Sequence, residues 1–127
     1  MKILKDIGFF FLFLIASALK WVFSPFLYIY GVIRSLTMGE FGKYHFDLAY
    51  SKDQYGNVVG QYFFNDVWIK PDGYKFGKPD ETMSSALGKN KRISMFRKFG
   101  ESVANFLNKI DTNHVEKSIE DDERKGC

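Results

Sequence analysis

Asp53, Asp80, Glu81 and His114 are the side chains of this sequence best equipped to move a proton or hold a cation. Carboxylates and imidazole serve as general acids and bases, and both ligate divalent metals. Asp80 and Glu81 stand side by side behind Pro79 in "KFGKPDETMSSALGKNKR", residues 75–92, and the hydroxyls of Thr82, Ser84 and Ser85 follow. Asp53 belongs to "DQYGN", where Gln54 and Asn57 add amides. On a helix, Asp53 and Asn57 stack at i,i+4. His114 has Asp111 three residues before it and Glu116 two after. Gathered around one metal, Asp53, Asp80, Glu81 and His114 would make a small hydrolase or nuclease. His45 is the only other histidine, so no H-E-x-x-H pair exists. The lone cysteine, Cys127, excludes an intrachain disulfide and a Cys-based zinc site. The only Glu-x-Lys, Glu123-Arg124-Lys125, sits in a tail with nothing to hold a nuclease site rigid. No motif assigns a metal or a cofactor.

Each of these residues also has a structural reading. Pro79, Asp80 and Glu81 read as a helix start, because proline fits the first turn and acids favour the positive dipole end. Gly88 then reads as the stop, and Lys89, Lys91 and Arg92 as a basic loop. The run from Lys89 to Lys98, with Arg97, contains no acid. It can touch lipid phosphates or pair with the acids of Glu116–Glu123. His114 reads as a capping-region histidine bonded to backbone or solvent. Asp53, Gln54 and Asn57 stand amid aromatic residues and must be satisfied if buried, so they can bond Asp80, Thr82 or Ser84 and join two helices. No nucleophile–base pair is visible, which favours a polar network over a catalytic centre.

The elements that would position these groups are mainly helical. Phe41 to about Trp68 reads as a helix, followed by a turn at Pro71-Asp72-Gly73; one short β-hairpin over "YFFNDVWIKPDGYKF", residues 62–76, competes with it. Ile93, Phe96, Phe99, Val103, Phe106 and Ile110 recur every three or four residues, which predicts an amphipathic helix with this stripe buried. Asn113 and Glu116 suit a capping box for a last short helix through Ile119. The predicted module spans residues 37–119, and residues 120–127 have nothing apolar to pack and read as a disordered tail.

The first third is different. "IGFFFLFLIASAL", residues 7–19, carries no charge, and the apolar run resumes after Lys20. A spanning helix needs about 20 mainly apolar residues. Residues 1–36 therefore read as a membrane anchor, with a span over about 3–23 and Lys20 snorkelling at one end. Ser24-Pro25 looks like the cap and first position of a second, interfacial helix over about 25–36. A cleavable signal peptide, with "ASA" at residues 16–18, competes with this, but the chain stays apolar well beyond that point. The formal charge of +3 lies wholly on residues 1–36, and the remainder balances. Nothing in that distribution calls for nucleic acid. Lys20, Arg34 and Lys43 against Lys2 and Lys5 place the C-terminal module in the cytoplasm by the positive-inside rule. The partners expected are a membrane and a protein; no feature sets an oligomeric state.

"DQYGNVV", "GYKFGKPDETMSSALGKNKR" and "KIDTNHVEKSIEDDE" resemble, over residues 47–123, a group of small proteins of tailed bacteriophages and prophages. That group carries D-Q-x-G-N, P-D-E-T-x-S-S with G-K, and I-D-x-N-H-C with S-I-E. Asp53, Gln54, Gly56, Asn57, Pro79, Asp80, Glu81, Thr82, Ser84, Ser85, Gly88, Lys89, Asp111, Asn113, His114, Ser118 and Glu120 stand at matching positions. Val115 replaces the usual cysteine, which counts against Cys–His chemistry. The resemblance implies a phage or prophage origin and brings no activity with it. Two classes therefore stand: a membrane-anchored element that interacts at the host envelope (in lysis, exclusion or remodelling), or the metal-dependent hydrolase or nuclease.

Overall fold

Helix α1 covers Lys2–Met38, 37 residues without a break. The computed structural model describes residues 1–120 and divides the chain into one unit over Met1–Phe46 and a second beginning at Asp47. At 1.5 Å per residue α1 is about 55 Å long, against a hydrocarbon core of about 30 Å. It is long and apolar enough to span a membrane, and no residue of its most apolar stretch is buried. The helix break expected at Ser24-Pro25 is absent, and Pro25 lies inside α1. A proline removes one backbone hydrogen bond, and membrane helices tolerate it where soluble ones seldom do. The Ser-Pro pair that reads as a start thus lies in the helix interior.

Gly39 ends α1 in the left-handed region, φ 72°. Its amide and that of Glu40 turn back to the Leu36 and Ser35 carbonyls (3.3 and 2.8 Å), the usual glycine closure. The chain then enters α2, Phe41–Val59. Its first turns pack against α1 through Tyr28, Tyr44 and His45. The Tyr28 hydroxyl lies 2.9 Å from His45 Nε2, and His45 Nδ1 lies 2.9 Å from the Phe41 carbonyl. A carbonyl only accepts, so Nδ1 holds the imidazole proton and Nε2 accepts from Tyr28. Tyr44 sits on Gly31, where a Cβ would come within 2.2 Å of its hydroxyl.

In the second unit the predicted helix to Trp68 is present in three pieces: the rest of α2, a single turn α3 (Gln61–Phe63), and a π-helical turn over Phe64–Trp68. The wide last turn stacks Phe64 on Trp68, centroids 4.0 Å apart. Three more helices follow: α4 (Met83–Arg92), α5 (Lys98–Ile110) and α6 (His114–Lys117). The core is Trp68, Ile69, Phe76, Ala86, Leu87, Ala104 and Val115.

The alternative hairpin does not form, and the described residues contain no strand. The turn at Pro71-Asp72-Gly73 is present, closed by Gly73 N–H to Lys70 O at 2.9 Å. Among the described residues the one β-bridge pairs Ile69 with Phe96, far along the chain. Residues 74–78 have no regular structure and find side chains as backbone partners instead of a strand. Asn90 Oδ1 accepts from Tyr74 N–H and its Nδ2 donates to Tyr74 O, both at 2.8 Å. Asn65 does the same for Phe76 at 2.8 and 3.2 Å. Asn57 accepts from Gly77 N–H at 3.1 Å and donates to Lys78 O at 3.2 Å. An asparagine amide offers one donor and one acceptor side by side, as a peptide unit does. Three such amides replace a neighbouring strand.

Four further expectations give way. Gly88 is not a stop: α4 runs on to Arg92, and Gly88 is buried where α6 crosses. A Cβ there would lie 2.1 Å from the Val115 carbonyl oxygen. The amphipathic helix starts at Lys98, because Ser94 (φ 57°) and the Phe96 bridge occupy the preceding residues. Its predicted stripe is buried only in part, with Phe96 and Val103 packed against the core. Phe99, Phe106 and Ile110 are exposed, while Gly100 and Ala104 face the core. Small residues win that face because they admit Trp68 closely; a Cβ on Gly100 would come 2.2 Å from its carbonyl oxygen. Asn113 adopts φ 56° and makes no side-chain cap, so the capping box is absent. The predicted tail lies outside the described residues except for Glu120.

Candidate functional site

The polar residues singled out by spacing assemble around the first turn of α4. Thr82 is its N-cap, and Thr82 Oγ1 accepts from Ser85 N–H at 3.0 Å. Asp53, presented by α2, adds a second cap from outside: Oδ1 accepts from Met83 N–H at 3.0 Å and Oδ2 from the Ser84 hydroxyl at 2.8 Å. Glu120 supplies a third, its Oε1 accepting from Thr82 N–H at 2.9 Å. Two carboxylates at a helix N-terminus complement its dipole as well as its open amides. Gln54 and Asn57 finish the junction, donating to the carbonyls of Asp80 (3.0 Å) and Glu81 (2.9 Å). The expected joining of two helices by Asp53, Gln54 and Asn57 is what the geometry shows.

His114 reaches the same hydroxyl from α6. Its Nε2 lies 3.2 Å from Ser84 Oγ, and its Nδ1 3.0 Å from Asp111 Oδ2. The chain Ser84–His114–Asp111 has the connectivity of an acyl-transfer triad. Its proton directions are wrong for that chemistry. A triad needs the serine proton to point at Nε2, but here Asp53, which only accepts, takes it at the shorter distance. With that proton committed to Asp53, Ser84 Oγ can only accept from Nε2, the reverse of what a nucleophile needs. The amides of Thr82, Met83 and Ser85, the natural donors for an oxyanion, are already occupied. Ser84 is buried. The arrangement fastens α6 to α4 and α2 and does not activate a nucleophile.

Glu81 lies in a separate, closed cage. It is wholly buried, and so nearly is Lys89. Lys89 Nζ meets Glu81 Oε2 at 2.5 Å. The Tyr74 hydroxyl donates to Oε1 and the Ser85 hydroxyl to Oε2, both at 2.9 Å. The ammonium also stands over the Tyr74 ring, 4.6 Å from its centroid. Lys89 was expected to contact membrane or phosphate; its position one turn inside a buried helix, i+8 from Glu81, removes it from that role. Lys91 pairs with Glu116. Arg92, Arg97 and Lys98 are exposed.

The four residues of the metal-site alternative do not converge. Asp53 and His114 meet at Ser84, Glu81 faces Lys89, and exposed Asp80 lends its backbone carbonyl to Gln54. Among the described residues no three His, Cys, Asp or Glu side chains are grouped to hold a metal ion. Asp80 and Glu81 precede the helix and do not occupy its first turn.

Charges on the rim follow their neighbours. Hydrogen bonds from Lys117 and His114 hold the Asp111 carboxyl below its ordinary value. The Lys91 ammonium does the same for Glu116. Burial, then the hydrogen bond to Glu120, pushes the Tyr50 phenol up to about 12. Ser85 and Glu120, which stand at positions of the motif resemblance, complete the network with Asn65, Asn90 and Tyr74, which spacing did not single out. Comparison of the chain with protein-family models, curated proteins and solved structures finds no match.

Proposed function

We propose that this chain is a membrane-anchored protein of phage or prophage origin whose helical unit works by contact at the host envelope. Lysis, entry exclusion and envelope remodelling are the roles open to such an element. The observation that carries the reading is α1, 37 residues long with no residue of its most apolar stretch buried. Leaving that surface in water is unfavourable by about 25 cal/mol for each Å². The polar cluster supports contact over catalysis, because Asp53, Glu81 and His114 are committed to helix ends and buried partners. The basic residues Lys20, Arg34 and Lys43 favour the inner membrane with the second unit in the cytoplasm. Full-length protein stays in the membrane pellet through high-salt and carbonate washes, and protease added to spheroplasts leaves the second unit intact. Release by salt alone would remove the anchor, and cleavage from outside would reverse the orientation.

A further inference from the structure

Phe99, Phe106 and Ile110 give helix α5 an apolar stripe that no described residue of the second unit buries. Phe99 is 55% exposed, Phe106 62% and Ile110 70%, and half-buried Val103 completes the i, i+4, i+7, i+11 spacing. At about 100° per residue the four fall within one narrow sector, beside the Gly100–Ala104 face that meets the core. Exposed Phe63 extends the patch, since Phe63 and Phe99 both lie against the Trp68 ring, centroids 6.4 and 6.2 Å away. A contiguous exposed apolar surface on a small folded unit marks an interaction site.

The charges around the stripe identify what it meets. Lys98 and Lys109 fall on one border of the sector, and Glu101, the sole acid of α5, falls on the opposite side of the helix. Phenylalanine and isoleucine on one face with lysine at its margin is the pattern of a helix lying in a membrane interface, ammonium groups among the phosphates. A second copy fits less well, because stripe-to-stripe packing brings lysine borders together. The chain also carries its own membrane-length helix, so a lipid surface is held at high effective concentration by the tether.

We infer that α5 docks on an anionic lipid surface, with Phe99, Phe106 and Ile110 inserted among the acyl-chain ends and Lys98 and Lys109 on headgroup phosphates. The inference rests on the membrane-anchored reading and adds a second, peripheral lipid contact. Its test uses the full chain in vesicles of phosphatidylcholine with phosphatidylglycerol, in a Cys127→Ser background. An environment-sensitive fluorophore is placed at Phe106→Cys, on the stripe, at Asn105→Cys, on the polar face, and at Phe13→Cys, in α1.

Docking predicts that the label at 106 turns blue, escapes iodide and is quenched by acyl-chain nitroxides, while the label at 105 stays open to iodide. Lys98→Gln and Lys109→Gln each lower the docked-to-free ratio about fivefold, as expected for one basic residue near an anionic surface. An iodide-accessible 106 label beside a nitroxide-quenched 13 label overturns the inference and leaves the anchor standing. Both labels open to iodide overturns both. A 106 label shielded from iodide yet untouched by nitroxide assigns the stripe to a second copy and overturns lipid docking.

Discussion

The buried pair Glu81–Lys89 is the most sensitive point of the second unit. Its side chains are 0% and 5% exposed, 2.5 Å apart, with Tyr74 and Ser85 donating the carboxylate's remaining hydrogen bonds. Removing one member leaves the other charged in an apolar interior, a loss of about 3–5 kcal/mol. A unit of this size has a total stability of about 4–11 kcal/mol, at 0.05–0.15 kcal/mol per residue. Lys89→Met or Glu81→Gln alone therefore removes a large part of it. The double variant removes both charges and keeps the methylene packing, so it should return to within about 2 kcal/mol of wild type. The measurement is guanidinium unfolding of the full chain in nanodiscs, in a Trp21→Phe background so that Trp68 alone reports on the core. The decisive quantity is the coupling energy, expected at about 4 kcal/mol or more from single losses of about 3–5 kcal/mol and a double variant within about 2. Single variants within about 1 kcal/mol of wild type, with additive effects, would refute the idea that the cage is closed to water.

Gly88→Ala should destabilise by about 1–3 kcal/mol in a thermal melt although alanine is the better helix former, because its Cβ would meet the Val115 carbonyl. A neutral or stabilising result would mean that α6 does not cross there. Spectrophotometric titration should find the Tyr50 phenol ionising at about 12. Its folded value is raised, so its contribution to stability is present below the ordinary 10.0 and is lost as pH climbs towards 12. Glu120→Gln should bring that titration part of the way down, since burial remains. Asp111 and Glu116 shift the other way, below their ordinary 3.8 and 4.5. Their contribution is present above those values and is lost as pH falls through the lowered folded ones. The protection factor of the Val115 amide, exchange being corrected for its intrinsic pH dependence, should fall over that acid range, and Asp111→Asn with Glu116→Gln should abolish the change.

Much of the helical layout is legible from local signals. The apolar run of α1 and the continuation to Trp68 follow from composition and periodicity, and a helix close behind Pro79 from local start signals, although it begins at Met83 and not at Pro79-Asp80-Glu81. The joining role of Asp53, Gln54 and Asn57 was also readable, because polar groups in an aromatic-rich helix must find partners. What stays hidden depends on residues distant in sequence. Gly88 has the look of a helix end, and only α6, some thirty residues on, makes it a crossing point. Lys89 belongs to a basic run until Glu81 is seen beneath it. Periodicity locates an apolar stripe on α5 but cannot choose between it and the adjacent Gly100–Ala104 face, since that choice is made by the fit to Trp68. The Ser84–His114 contact joins residues that no local pattern relates.

The asparagine clamps also have a consequence for the order of folding. Residues 74–78 obtain their backbone partners from Asn57 on α2, Asn65 in the π-helical turn and Asn90 on α4. A hairpin strand can zip up from its turn, one pair at a time. This segment has no such route, because each clamp is carried by a different helix and becomes available only when that helix has docked. That stretch must settle last, together with the closing of the core. The amides of Tyr74, Phe76 and Gly77 should then exchange with solvent only through global unfolding of the second unit, so a segment without regular structure would report the stability of all the helices around it.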